Sequence, residues 1–265
     1  DVYKRQYYLS INMPESHDTD FTWNEFVDRI NNELIATYGN FANRVLSLSA
    51  RLPNAPGAPS LSSFDDNNTY TNLQTTLEKL HADMTSSLER HRYKEALRTA
   101  MTAAQHGNQM LQNAAPWVHL KTDVGADGRK ESLASLAFGW RICRYLAIVT
   151  QPFLPFSAKK LWTMLGITTE LENISWDSAI DWSIKIGNPL ASFEPLFQRL
   201  DAGEILKHEK SIVENSSEKS NPGHEVKGGK KELKNMKEEP LEGIEYLDFD
   251  TFMKVDLRVG VITSV

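Results

Sequence analysis

From Trp23 onward the apolar residues recur at helical intervals: Val27, Ile30, Leu34, Tyr38, Phe41, Val45 and Leu48 step by three and four, which gathers them on one face. Thr22 and Glu25 have the T-x-x-E form of a capping box, and Phe21 and Phe26 are spaced for a hydrophobic staple, so this helix is predicted to start at about Trp23. Asn40 and Arg44, four apart, share a flank about a quarter turn from that stripe. LPNAPGAP, from Leu52 to Pro59, has too many prolines for a helix and reads as a loop. A second helix is expected over roughly Thr69 to His91, with Leu73, Leu77, Leu80, Met84 and Leu88 buried, and a third over roughly Tyr93 to Asn113, with Leu97, Met101, Ala104 and Leu111 buried.

The third pattern runs into Pro116. Proline cannot continue a helix and biases the residue before it to extended backbone, so Trp117 is expected at a helix end, where a ring can be spared from the core. A polar, glycine-bearing turn follows over Asp123 to Gly128, then a fourth helix over roughly Lys130 to Thr150, apolar at Leu133, Leu136, Trp140, Cys143 and Ala147 and ended by Pro152. Pro155 is placed to open a short fifth helix that Gly166 closes. Trp176 and Trp182 lie in weakly periodic sequence, expected to be coil that straps the bundle, and Phe193 to Arg199 would anchor it by its phenylalanines.

The flanks differ. Asp1 to Gln6 carries no usable pattern, and Tyr7 to Asp20 is a short apolar piece that gives way to a polar connector. Gly203 to Pro240 is dense in Lys and Glu with few apolar residues, which reads as a flexible linker or a solvated helix. Near the end, Val255, Leu257, Val259 and Val261 alternate with polar or small residues, as in a half-buried strand that would need partners. The expected architecture is all-α: a connector over 1–20, an antiparallel helical bundle over 21–201, a charged linker over 202–243 and a truncated β segment over 244–265. The start at Asp1 and the stop within a strand-like pattern suggest a piece of a longer chain.

Composition narrows the chemistry. At 40% apolar residues over 265 positions a core can be buried. One cysteine, Cys143, excludes an internal disulfide framework or a Cys-rich zinc site and suits a reducing, cytoplasmic setting. No apolar run reaches the ~18 residues that span a bilayer, so no membrane partner is expected. A net charge of -6 argues against nonspecific coating of nucleic acid, which needs a broad basic field, but leaves room for a small local site. Phosphate-loop, dinucleotide and H-E-x-x-H signatures are all missing, and no catalytic residue is assigned.

Four stretches in this order, TDFTWNEFVDRINNELIATYGNFANRVL, NAAPWVHLK, ICRYLAIVTQPFLPFSAKKLWTMLG and PLFQRL, resemble the C-terminal anticodon-binding domain of methionyl-tRNA synthetases, nearest the archaeal or eukaryotic-like branch. FMKVDLRVGVI resembles the opening of the tRNA-binding oligonucleotide/oligosaccharide-binding (OB-fold) domain appended to many of them. The resemblance implies a helical bundle that grips the anticodon loop of the tRNA for methionine and reads CAU. It implies that Asn40, Arg44 and Trp117 contact the anticodon, Trp117 by stacking on its first base, with Pro116 beside it and Lys121 near a phosphate. Many bacterial members have a further Asn where this chain has Ala36, so the set of base contacts departs from theirs there.

The whole enzyme of this family joins methionine to tRNA through an adenylate, using ATP and Mg, with zinc in a catalytic domain that carries the HIGH and KMSKS signatures. Those signatures are absent here, so these residues alone are expected to need no cofactor and not to activate methionine. Self-association through the OB-fold domain is left open for the full-length protein.

The residue types fit that task on chemical grounds. Unpaired loops are recognised by splaying bases onto aromatic faces and hydrogen-bonding their edges. Trp117 offers the face, Asn40 donates and accepts at once, and Arg44 supplies a donor fork. Two other readings stay open: the anticodon domain of another class I synthetase, of leucine or valine type, and a helical scaffold that docks proteins through Trp117. Arg141, Arg144, Lys159 and Lys160 read as surface charge that could also lie along a tRNA stem.

Overall fold

The computed structural model describes residues 1–15, 17–51, 70–119, 126–184, 194–203, 205 and 207. The chain separates into two units, Asp1–Ser217 and Glu218–Val265, and the described residues all belong to the first. The expected loop from Leu52 to Pro59, Phe193, Lys121, the linker beyond Lys207 and the strand of Val255 to Val261 lie outside the described residues.

Among the described residues the unit is a helical bundle: α1 Val2–Ile11, α2 Trp23–Asp28, a π-helical section Arg29–Gly39, α3 Asn40–Ser49, α4 Thr71–Glu89, α5 Tyr93–Ala114, α6 Pro116–His119, α7 Ala126–Thr150 and α8 Pro155–Met164. Two 3-10 turns, Leu171–Asn173 and Trp176–Ile180, follow. From α2 to α3 the helix is unbroken and starts where the capping box places it, Glu25 donating its N–H to the Thr22 hydroxyl at 3.2 Å. The reciprocal half of the box is not made, because the Glu25 carboxylate turns instead to Arg29. Phe21 and Phe26 meet with ring centroids 6.1 Å apart, as the staple requires.

Ile30, Leu34 and Tyr38, which follow one another by steps of four in the π-helical section, are all buried.

Helix α7 is the axis of the bundle. Every residue from Ser132 to Thr150 is buried, with α5, α3, α6 and α8 packed around it. Lys130–Thr150 is the one described segment long and apolar enough to cross a membrane, although no such run was expected, and it is enclosed by the bundle. The helix begins at Ala126, inside the expected turn, four residues before Lys130. Two glycines let its neighbours come close. A Cβ on Gly107 of α5 would lie 2.6 Å from the ring of Phe41, and one on Gly139 of α7 would lie 2.9 Å from Val45. Helix α3 is thereby wedged against both α5 and α7, which sets where Arg44 emerges.

Three expectations need correction. Residues 2–11 form one helix, where Asp1 to Gln6 carried no usable pattern and the apolar piece from Tyr7 was expected to lead into a connector; Tyr7, Tyr8 and Ile11 are buried in the common core. The stretch carries a buried face of only three residues, too short for a period to show. Arg141 and Arg144 are not surface charges: they are 4% and 3% exposed, and Arg144 donates to the Ser178 carbonyl at 2.8 Å. The third concerns Ala115, below. The strap is as expected in outline. Trp176 donates its indole N–H to Thr85 at 2.8 Å and Trp182 donates to Glu78 at 3.0 Å, tying it to α4, while Phe197 packs on Tyr3 and Tyr38.

Candidate nucleic-acid interface

Helix α5 ends because Pro116 has no N–H to continue it. Ala115 then adopts φ 41, ψ 50, the left-handed region, instead of the extended backbone that a following proline favours. The chain reverses within one residue, and Pro116 becomes the first residue of the short helix α6, buried against the bundle. Trp117 rides on that turn. It is half-buried, with part of the ring packed on the core, so it is less fully thrown outward than a bare Pro-Trp pair suggests.

Arg44 reaches it from α3. Its guanidinium carbon lies 4.7 Å from the centroid of the Trp117 ring, and one guanidinium nitrogen donates to the Gln112 side-chain oxygen of α5 at 3.4 Å. Neither partner is a carboxylate, and among the described residues Arg44 has no ion pair, so its charge stays available. Asn40 stands one turn earlier on α3, exposed. Its amide donates to the Ala36 carbonyl at 3.1 Å, and among the described residues no hydrogen bond joins it to Arg44 or Trp117. The structure thus joins Arg44 to Trp117, places Asn40 on the adjoining turn of the same helix and buries Pro116.

Sequence reasoning missed the third wall of this face. Beside Arg44 a groove of about 330 Å³ runs between the π-helical section and α5, lined by Thr37, Arg44, Gln105, Asn108, Gln109 and Gln112. A signal for it exists in the spacing: Gln105, Gln109 and Gln112 lie at i, i+4 and i+7, one polar stripe on α5 about a quarter turn from its apolar row.

The tryptophans differ in how their N–H groups are used. Four of the six, Trp140, Trp162, Trp176 and Trp182, donate to partners inside the bundle. Trp117 donates to no described residue. Lys159 and Lys160 are surface charges, as expected: Lys159 pairs with Glu170 and Glu172, and Lys160 with Glu194. Among the described residues no group of three or more His, Cys, Asp or Glu side chains converges as a metal site would require. The face thus presents one aromatic ring, one guanidinium and several side-chain amides.

Residues 58–213 match the family model of the anticodon binding domain of methionyl tRNA ligase, and residues 2–46 match that of class I tRNA synthetases (M). The chain is 33% identical over 263 residues to the methionine–tRNA ligase of Cytophaga hutchinsonii, covering 98% of this chain and 34% of that protein. It is 31% identical over 261 residues to that of Methanopyrus kandleri, covering 97% and 33%. The chain spans about a third of the length of these relatives. In fold it is similar to the apo methionyl-tRNA synthetase of Mycobacterium tuberculosis, with a TM-score of 0.60 and 23% identity over 76% of this chain and 39% of that one. The match to the anticodon binding domain model covers more than half of the chain; the chain belongs to the family of methionyl-tRNA ligase anticodon-binding domains.

Proposed function

We propose that this domain reads the CAU anticodon of the tRNA for methionine, as part of an ATP-dependent methionine–tRNA ligase. The observation that carries the reading is the Arg44 guanidinium lying over the half-buried Trp117 ring on an open, largely uncharged face. A stacked base is worth about 1–3 kcal/mol and tolerates any sequence, so the indole supplies affinity while amides and the guanidinium supply choice. In this reading the first anticodon base stacks on Trp117, Arg44 and Asn40 contact base edges or the backbone, and Lys121 adds a phosphate contact. Ala36 contributes no edge contact, which leaves the neighbouring amides of α5 to do so.

The remaining parts of the reading follow from the family. ATP, Mg and a zinc-bearing catalytic domain would belong to the whole ligase, and residues 1–265 alone would not activate methionine. Residues 244–265 would open an OB-fold tRNA-binding domain, through which the full protein could also self-associate. A cytoplasmic setting suits the single thiol, Cys143, which is free and buried. Relatives of similar identity include bacteria as well as an archaeon, so the archaeal-like branch rests on the quoted motifs alone.

Titration of a CAU stem-loop and of the same hairpin with a changed anticodon, each at rising salt, tests the reading. Preference for CAU together with affinity that falls as salt rises is expected. Equal binding of both hairpins would point to another synthetase's domain, and salt-independent binding to a protein-docking scaffold.

A further inference from the structure

We propose that His81 is an acid-sensitive latch for the strap: uncharged, it seats the Trp176–Ile180 turn on α4 and α7, and protonated, it releases that turn while the bundle stays folded. The imidazole lies at the seam where the strap closes. It is buried, stacked on the Trp176 indole with ring centroids 5.0 Å apart and planes tilted by 28°, and set edge-on to Tyr145 of α7 at 6.0 Å. Neither ring nitrogen meets an acceptor among the described residues, and the Tyr145 hydroxyl is likewise without one. An imidazolium carries two N–H donors and a full charge. Between an indole and a phenol ring it satisfies neither donor, and in water it satisfies both.

The strap is the part that can yield. It is a five-residue turn fastened at its edges by side chains, Trp176 donating to Thr85 at 2.8 Å, Trp182 to Glu78 at 3.0 Å and Arg144 to the Ser178 carbonyl at 2.8 Å. Helices α4 and α7 beneath it are 19 and 25 residues long and packed into the bundle, so the turn opens before they do. The charged groups around the seam are Glu78 on α4, Asp177 and Asp181 on the strap, and Arg141 and Arg144 on α7 beside Tyr145. Glu78 takes the Trp182 N–H and Asp181 faces Arg144, which leaves Asp177 as the one that acts on His81. Burial disfavours the charged ring, the Asp177 carboxylate favours it, and burial is the larger influence, holding the pKa below the ordinary value. The closed strap therefore binds a proton less readily than the open one, and protons favour opening. Above about pH 6.5 the latch holds; below it the ratio of open to closed strap rises up to about tenfold per pH unit, until the closed form protonates as well.

The test follows the indole N–H signals of Trp176 and Trp182 by NMR in the full chain with isotope-labelled tryptophan, assigned through Trp176→Phe and Trp182→Phe, as pH falls from about 7.5 to about 5. Trp140, which donates to the Leu165 carbonyl inside the bundle, reports on global folding. In the parent the two strap signals are expected to move to the position of a water-exposed indole while the Trp140 signal stays. His81→Phe keeps a ring beneath Trp176 and cannot take a proton, so its strap signals should hold still. Asp177→Asn removes the carboxylate that favours the charged ring, so its transition should lie at lower pH than the parent's. Strap signals that stay fixed in the parent, that move at the same pH in the parent and in His81→Phe, or that move together with Trp140 would overturn the latch. Should His81→Phe fail to fold, Asp177→Asn decides: a transition at the parent's pH would overturn it.

Discussion

Arg44 is the residue whose removal is most informative, because its resting contacts are weak and its ligand contacts would not be. In the free protein its guanidinium lies 4.7 Å from the Trp117 ring centroid, a cation–π contact at a half-exposed site worth about 0.5–1 kcal/mol. Its hydrogen bond to Gln112, at 3.4 Å, is beyond the usual N–H···O range and adds little. A charge-assisted hydrogen bond to RNA is worth about 1.5–3 kcal/mol. Subtracting the contacts given up, Arg44→Ala should weaken binding of a CAU stem-loop by about 1–2 kcal/mol, roughly five- to thirtyfold in Kd. The salt dependence separates its two modes of action. Each phosphate contact on a single strand contributes about -0.7 to the slope of log K against log salt, so a phosphate-bound Arg44 predicts a slope shallower by that amount in the variant. A base-bound Arg44 predicts an unchanged slope and reduced preference for CAU over a changed anticodon. Parent-like affinity at every salt concentration would refute the assignment.

Three further outcomes test how the bundle is built. Gly107→Ala should destabilise the fold by about 1–2 kcal/mol in urea melts, because overpacking against the fully buried Phe41 ring, about 1–3 kcal/mol, exceeds the roughly 1 kcal/mol that alanine gains in a helix; a stabilised variant would mean α3 and α5 are not clamped there. Ala115→Gly should stabilise by about 0.5–1 kcal/mol, since glycine adopts φ 41 without the Cβ clash and that relief outweighs its added chain entropy; a loss would contradict the left-handed cap. His81 is buried, stacked on Trp176 and edge-on to Tyr145, and neither ring nitrogen has a hydrogen-bond partner. Burial holds its pKa below the ordinary value, with Asp177 opposing, so its contribution is present above about pH 6.5 and is lost as pH falls through the depressed value. The thermal midpoint should drop between neutral pH and pH 5 more steeply in the parent than in His81→Phe; matching profiles would exclude His81 as the cause.

Much of the bundle was legible because its helices have one apolar face each. The row from Val27 to Leu48 is buried throughout, as are Leu97, Met101, Ala104 and Leu111. Helix α4 was legible only in part. Leu77 and Met84 are buried, but Leu73, Leu80 and Leu88 are half-exposed, and the polar residues His81 and Ser87 take buried positions between them. Polarity misled in the same way at Arg141 and Arg144: α7 is buried on all sides, so no periodicity marks where its cations go, and the Ser178 carbonyl that receives Arg144 comes from a distant turn. At the candidate site, the residue types of Asn40, Arg44 and Trp117 could be singled out from sequence. The meeting of Arg44 with Trp117 depends on the close approach at Gly107 and the reversal at Ala115, both of them tertiary or backbone features that no local pattern encodes. The spacing does show the polar stripe that holds Gln112, but not its pairing with Arg44, 68 positions away.

The most direct measurement is the affinity of Trp117→Ala for a CAU stem-loop, beside a fully paired RNA duplex of equal length, with helix content checked by circular dichroism. A folded variant that binds the loop about five- to thirtyfold more weakly and the duplex unchanged is expected if an unpaired base stacks on the indole. Parent-like binding of the loop by that folded variant would contradict it.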